Sequence, residues 1–429
     1  MTNQQLLDLL HSEVIPAIGC TEPIAVALCV ARAKEKLGAE PDKIHVWLSK
    51  NVYKNALAVG IPNTGMTGLP IAIALGATVG RSEYMLEVLR DANQQAVEYA
   101  KEYMQRISIE INIRYNAPSI LYIQAIVEKN GQLAVATIQD EHTKFVDVQI
   151  ANPEESNQHS PSLEDDQLTL KRVYDFAQSV DIDQVNFLLE GAEMNKQAAE
   201  TSFANEYGHK LGRLLHTNTL QQSSHLQQLF GDTTFTKIIS YTCGACDARM
   251  SGAMVPVMSN SGSGNQGISC SVPVYIYARE NNCTKEQTLR ALVLSNLTVI
   301  YIKQSLGRLS ALCGCVVAAT GSAAGITYLM GGNYEEITFA IKNMIANISG
   351  MICDGAKPGC ALKVTSGVST AIFSAYLAMQ HSYADSTEGI VEDDIDRTIR
   401  NLTRIGHDGM QVTDDLILDI MTHKRDINY

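Results

Sequence analysis

A chain of 429 residues, 45% hydrophobic and 18% charged, is long enough for two or three domains around a large core. Its 33 basic against 46 acidic residues give a formal charge of −13, which argues against nucleic acid or an anionic membrane as the main partner. A small anionic substrate is not excluded, because local charge can oppose net charge.

The N-terminus carries no basic stretch leading into an apolar one, so no signal peptide is expected. Ten cysteines, none of them between positions 30 and 242, then place the chain in a reducing cytoplasm, where thiols bind metal or do chemistry more often than they form disulfides.

In chain order, residues 3–14 read as a short amphipathic helix. The segment Gly19-Cys20-Thr21-Glu22-Pro23 breaks it and starts a second helix over about 22–37, with Thr21 as the expected N-cap. Residues 43–49 alternate as a strand, 66–80 look helical, and 84–103 read as one continuous helix. From 105 the period changes to two: strands are expected at 106–114, 119–128, 132–139 and 143–150, with Asn130-Gly131 as a hairpin turn, forming an antiparallel meander. The polar, proline-bearing stretch 152–168 reads as a linker.

Beyond it helices are expected at about 168–180, 183–206, 222–230, 264–281, 284–302, 309–330, 334–350, 361–381 and 390–404. Residues 309–331 carry no charge, but their Ala, Gly, Ser, Thr and Cys content reads as a closely packed buried helix rather than a membrane span. The fold class is therefore α+β: an N-terminal α+β domain with antiparallel strands (1–152) and a larger, mostly helical C-terminal domain (165–429).

Three features carry chemistry. First, Cys353-Asp-Gly-Ala-Lys-Pro-Gly-Cys360 with Cys313 upstream reads as a three-point thiolate site, its loop curled by Gly355, Pro358 and Gly359. Soft thiolates suit an iron–sulfur cluster or zinc, and three on a four-iron cluster would leave one iron open as a Lewis acid. Inert cysteines in small-residue helices give the same spacing, and in Cys313-Gly314-Cys315 either thiol fits as the ligand. Second, the polar loop 259–267, with Ser261, Ser263, Gly264, Asn265 and Gln266, feeds a helix and offers N–H groups and hydroxyls to a carboxylate. Third, Cys20 stands just before a helix N-terminus, a position that favours the thiolate and suits a nucleophile or base. Arg249, Lys303, Arg308, Lys357 and Lys363 are cations available to an anionic substrate. Cys243-Gly-Ala-Cys246 lacks a second pair at zinc-ribbon distance and reads as structural.

Taken in order, Gly19-Cys20-Thr21-Glu22-Pro23, Ser261-Gly262-Ser263-Gly264-Asn265-Gln266-Gly267, Cys313 and Cys353–Cys360 resemble the L-cysteine desulfidase family, related to the iron–sulfur L-serine dehydratases through their α-type catalytic domain. The resemblance implies a [4Fe-4S] enzyme without pyridoxal phosphate that converts L-cysteine to pyruvate, ammonia and sulfide, with L-serine as the alternative substrate. It implies Cys313, Cys353 and Cys360 as cluster ligands, with Cys313 preferred to Cys315 by its spacing, and Cys20 as the catalytic thiol. Serine dehydratase relatives can cap the open iron with a C-terminal cysteine. No cysteine follows Cys360 here, which leans the reading toward the desulfidase. A small amino acid is the expected partner, with a homodimer as the candidate assembly and a non-catalytic cluster-binding thiol sensor as the competing reading.

Overall fold

A computed structural model of the protein describes residues 1–151 and 168–423. The expected linker, apart from Leu168, and the tail Arg425–Tyr429 lie outside the described residues. Seven strands are present among those described: β1 (Pro16–Ile18), β2 (Lys43–Leu48), β3 (Ser108–Ile113), β4 (Tyr122–Lys129), β5 (Gln132–Gln139), β6 (Phe145–Ala151) and β7 (Pro256–Met258).

The main sheet has the order β3-β2-β4-β5-β6. The strands β4, β5 and β6 form the expected antiparallel meander, and Asn130-Gly131 turns its first hairpin with φ of 52° and 81° at the two positions. The first expected strand departs from it. β2 inserts between β3 and β4, and β3 runs parallel to β2, from Lys43↔Ser108 to Leu48↔Ile113. The chain between these two strands is spent on three helices, Lys50–Ala56, Leu69–Thr78 and Gln94–Arg106, a crossover of the length a parallel pair needs. The helix Thr21–Leu37 lies across the sheet, with the Cys29 thiol donating to Ala136 O at 3.2 Å.

The continuous helix expected over 84–103 is instead a 3₁₀ turn at Ser82–Glu87 and a helix at Gln94–Arg106. Asn93 is the reason: its side chain accepts from the Ala96 N–H and starts a new helix in mid-segment. A further helix, Thr234–Met250, was not expected. Nearly every residue from Thr236 to Met250 is buried, so the segment has no polar face to give it a helical period.

The second, larger core is a helical bundle built around Gly314–Leu329, which packs against Gly264–Glu280, Lys285–Leu306, Tyr334–Ile348 and Cys360–Met379. Its small residues let these neighbours approach, as the uncharged stretch implied, and at 16 residues it is short for a membrane span. Cys360–Met379 is long and apolar enough to cross a membrane by length and composition, and its first residue lines the central cavity described below.

Two joins bring the cores together. Leu6, Leu7 and Leu10 of the first helix, Asn3–Glu13, pack into the bundle core and not under the sheet. β1 then pairs antiparallel with β7, from Pro16↔Met258 to Ile18↔Pro256. That ribbon sets the segment leading to Cys20 beside the segment leading to the 259–267 loop.

Candidate active site

Stretches far apart in sequence meet in a cavity of about 100 Å³. Cys20, Ser263, Asn265, Gln266, Cys313, Cys353 and Cys360 all line it. Ser261 and Gly264, from the same loop, do not. Ser261 Oγ donates to Asn260 Oδ1 at 2.9 Å, and Gly264 lies beneath Arg249.

Cys20, rather than Thr21, is the N-cap of the helix Thr21–Leu37, and its side chain makes no capping bond. The thiol donates instead to Glu22 Oε2 at 3.1 Å. Thr21 Oγ1 donates to the same oxygen at 3.1 Å, and Asn55 Nδ2 donates to Oε1 at 3.1 Å. The helix N-terminus does not make Cys20 a thiolate here. Burial, then the Glu22 charge, push its pKa well above the usual value and outweigh the opposing pull of Arg249. Burial also lifts Glu22, but His142, the Cys20 hydrogen bond and Arg249 outweigh it and hold the carboxyl below its usual value. Burial in turn presses His142 down to about 4. With that ring neutral near pH 7, the hydrogen bonds and Arg249 are what keep Glu22 ionised.

The thiol wall is built by a bridge between Leu312 and Ile352. The Cys313 N–H donates to Met351 O at 2.9 Å and the Cys353 N–H to Ala311 O at 2.7 Å, which sets these two residues side by side. Cys313 is the N-cap of Gly314–Leu329, so that helix begins five residues later than the uncharged stretch implied. Cys360 opens Cys360–Met379, and its N–H donates to Lys357 O at 2.9 Å. The three thiols feel one another. Burial and then Cys313 raise Cys353, and burial, with Cys353 and Cys313 adding to it, pushes Cys360 up to about 11. Cys313 is raised well above its usual value, first by its contact with Cys315 and then by burial.

Among the described residues no three His, Cys, Asp or Glu side chains converge as the ligands of a single metal ion would. A four-iron cluster asks for something else, since each thiolate meets a different iron and the sulfurs need only face one space from separate directions. Cys313, Cys353 and Cys360 fit that demand, since they line the cavity from separate segments; Cys20, Cys315 and Glu22 line it as well. Cys315 has another occupation: its thiol donates to Lys363 O at 2.9 Å and sits against Gly367, where a Cβ would lie 2.6 Å from the sulfur. Cys243 and Cys246 are buried in Thr234–Met250, and the Cys243 thiol contacts Ala361 O and Thr365 Oγ1.

The 259–267 loop presents Arg249 to this space. Gln266 caps back onto Ser263 through its N–H at 3.4 Å, and Asn265 Oδ1 accepts from Arg249 Nη1 at 2.9 Å. A Cβ at position 264 would lie 2.7 Å from Arg249 Cζ, so only glycine lets the guanidinium rest there.

Residues 83–419 match the family described as serine dehydratase alpha chain. The chain belongs to the serine dehydratase alpha-chain family. Members of this family are in general iron–sulfur-dependent, and the family supports a lyase. Among its relatives are proteins named only as UPF0597 proteins. One from Phocaeicola vulgatus is 57% identical over 427 residues, covering 98% of each chain. Others, from Bacteroides fragilis and Oleidesulfovibrio alaskensis, are 56% and 43% identical, again over 98% of each chain.

The residues matched to the serine dehydratase alpha chain include the thiol wall, Arg249 and the loop, whereas Cys20, Glu22 and Asn55 precede them. Sequence reasoning missed Glu22, Asn55 and His142 as parts of the site. Glu22 stood inside the Gly19–Pro23 motif and was legible there as a carboxylate beside a thiol. Asn55 and His142 carried no local signal, since a helix and a strand loop of the first core deliver them.

Proposed function

We propose that the protein is an iron–sulfur-dependent β-eliminating lyase that degrades L-cysteine to pyruvate, ammonia and hydrogen sulfide without pyridoxal phosphate. The observation that carries this reading is that Cys20 lines the same cavity as Cys313, Cys353 and Cys360. A base candidate and a cofactor site therefore face one small space. Family membership supports the lyase, and the resemblance of the ordered motifs from Gly19 to Cys360 to the L-cysteine desulfidases supports L-cysteine as its substrate.

Cys313, Cys353 and Cys360 would hold the cluster, which when bound supplies a Lewis acid toward the leaving group. The chain's own groups handle the protons. Cys20 rests as a thiol, so it becomes a base only by passing its proton to Glu22 Oε2, 3.1 Å away, an uphill transfer because the thiol is held above and the carboxyl below its ordinary value. The freed sulfur then takes the substrate Cα proton, and the β carbon–sulfur bond breaks to release hydrosulfide and aminoacrylate. Aminoacrylate tautomerises to the imine, which water hydrolyses to pyruvate and ammonia. The proton held by Glu22 returns to the departing sulfide. Burial of Cys20 and Glu22 keeps bulk water from taking these protons first.

Anaerobic reconstitution with iron and sulfide tests the reading. Iron-derived visible absorbance and sulfide release from L-cysteine are expected, and no such absorbance after reconstitution would sink it. Pyruvate formed faster from L-serine than sulfide from L-cysteine would move the assignment to L-serine dehydratase, the activity the family description favours.

A further inference from the structure

Arg249 is 2% exposed, and its Nε and Nη2 have no hydrogen-bond partner among the described residues. Its other contact, through Nη1 to Asn265, leaves that Nε–Nη2 edge unused. The neighbouring acid Asp247 accepts from the His209 N–H. The other cations of the cavity are engaged. Arg308 pairs with Glu13 at 2.7 Å, Lys363 pairs with Asp354, and Lys303 Nζ donates to Arg308 O at 2.9 Å. A buried guanidinium with a free edge is costly unless a ligand completes it, and that edge matches a carboxylate with two parallel hydrogen bonds.

The same cavity holds unused acceptors. Gln266 Oε1 and Asn55 Oδ1 are buried without partners among the described residues. Asn55 is oriented by its Nδ2, which donates to Glu22, so its oxygen is what remains. Glu22 itself is filled by Cys20, Thr21 and Asn55, and its charge sits against the Asn55 amide nitrogen. Gln266 packs on Gly314, next to Cys313, with its Cδ 3.2 Å from where a Cβ would stand. The spent and unspent groups together leave two donors on a cation and two acceptors, one of them on the amide bonded to Glu22, around one cavity. His142, buried with no partner on either ring nitrogen among the described residues, adds one donor and one acceptor as a neutral ring.

We propose that the cavity reads both charged ends of a zwitterionic α-amino acid, with Arg249 Nε and Nη2 taking the carboxylate and Gln266 Oε1 with Asn55 Oδ1 taking the ammonium group. This assigns the carboxylate to Arg249 and gives the 259–267 loop the role of a seat for it. The assignment rests on the reaction proposed above only for the direction in which the substrate's β substituent points.

The test uses the cluster-loaded protein and L-alanine, which has both charged ends and no leaving group, with binding read by calorimetry. L-alaninamide, without the carboxylate, and propionate, without the amine, are each expected to bind about 100-fold more weakly than L-alanine. Arg249→Lys keeps the charge but loses the paired edge and is expected to weaken L-alanine about 10- to 100-fold, with visible absorbance and melting temperature unchanged. Gln266→Met is expected to weaken L-alanine and leave propionate unaffected. Equal binding of L-alanine and L-alaninamide, or no binding of L-alanine to the wild-type protein, overturns the proposal without recourse to a variant. Sulfide release with a KM indifferent to Arg249→Lys overturns it while the lyase reading stands. Arg249-dependent L-alanine binding in a protein that releases no sulfide supports it while the lyase reading falls.

Discussion

On the thiol wall of the cavity the cations are matched: Lys357 and Lys363 pair with Asp354, and Lys54 pairs with Asp414 while reaching Cys353 O. Elsewhere around the cavity Arg249, Gln266, Asn55 and His142 keep polar atoms with no partner among the described residues. A wall that holds a resident cofactor can have its framework finished by the protein, leaving only the sulfurs open. A wall that meets a transient ligand must leave hydrogen-bonding capacity unspent, at a cost of roughly 1–3 kcal/mol for each buried polar group. The two walls should therefore fail differently when altered.

The sharpest break is expected from Cys353→Ala, which should abolish both the iron-derived absorbance and sulfide release, with helical circular dichroism retained. Cys20→Ser belongs to the other wall. It should leave the spectrum intact and lower turnover by about 10²- to 10⁴-fold, as loss of a proton-transfer group does. Wild-type turnover in that variant would remove Cys20 as the base. Glu22→Gln is expected near the ~10²-fold end of the same range, because the thiol keeps its position but loses the acceptor for its proton. A Glu22→Gln enzyme as fast as wild type would sink the relay and leave Cys20 unexplained.

Smaller effects concern the seat of the polar wall. Gly264→Ala forces a Cβ against Arg249 and should cost about 1–3 kcal/mol, measurable as a lower melting temperature together with a higher KM. The smallest effect is one of pH. Burial, aided by Arg308, Lys303 and Arg249 against the pull of Glu22, holds His142 at about 4, below the usual 6.5. Between those values the unfolded chain binds a proton that the folded protein refuses. This contribution to stability is therefore complete above pH 6.5 and is lost as pH falls toward 4. His142→Gln should flatten the pH dependence of the unfolding free energy across that window by about 3 kcal/mol, and an unchanged acid profile would show that the ring does not titrate as its burial implies.

The N-terminal strands were legible because Ile107, Ile109, Ile111 and Ile113 alternate, yet alternation names a face and not a partner. The parallel seat of β3 beside β2 depended on the crossover. Thr234–Met250 was illegible for the opposite reason: burial on all sides erased its period, and with it the helix that carries Arg249. At the site, motif residues were readable where neighbours in sequence act together, as in Cys353–Cys360 and Cys20–Glu22.

By itself the sequence determined the α+β class and the helical second half, because these depend on local periodicity and capping, and its residue chemistry singled out Cys313, Cys353 and Cys360 as candidates. The tertiary structure alone decided that Cys20 rests as a thiol, that Cys315 is occupied by Lys363 O, and that Arg249 keeps a free edge. Each of these turns on desolvation or on a hydrogen-bond partner brought from elsewhere in the fold, and neither is written in the residues beside it.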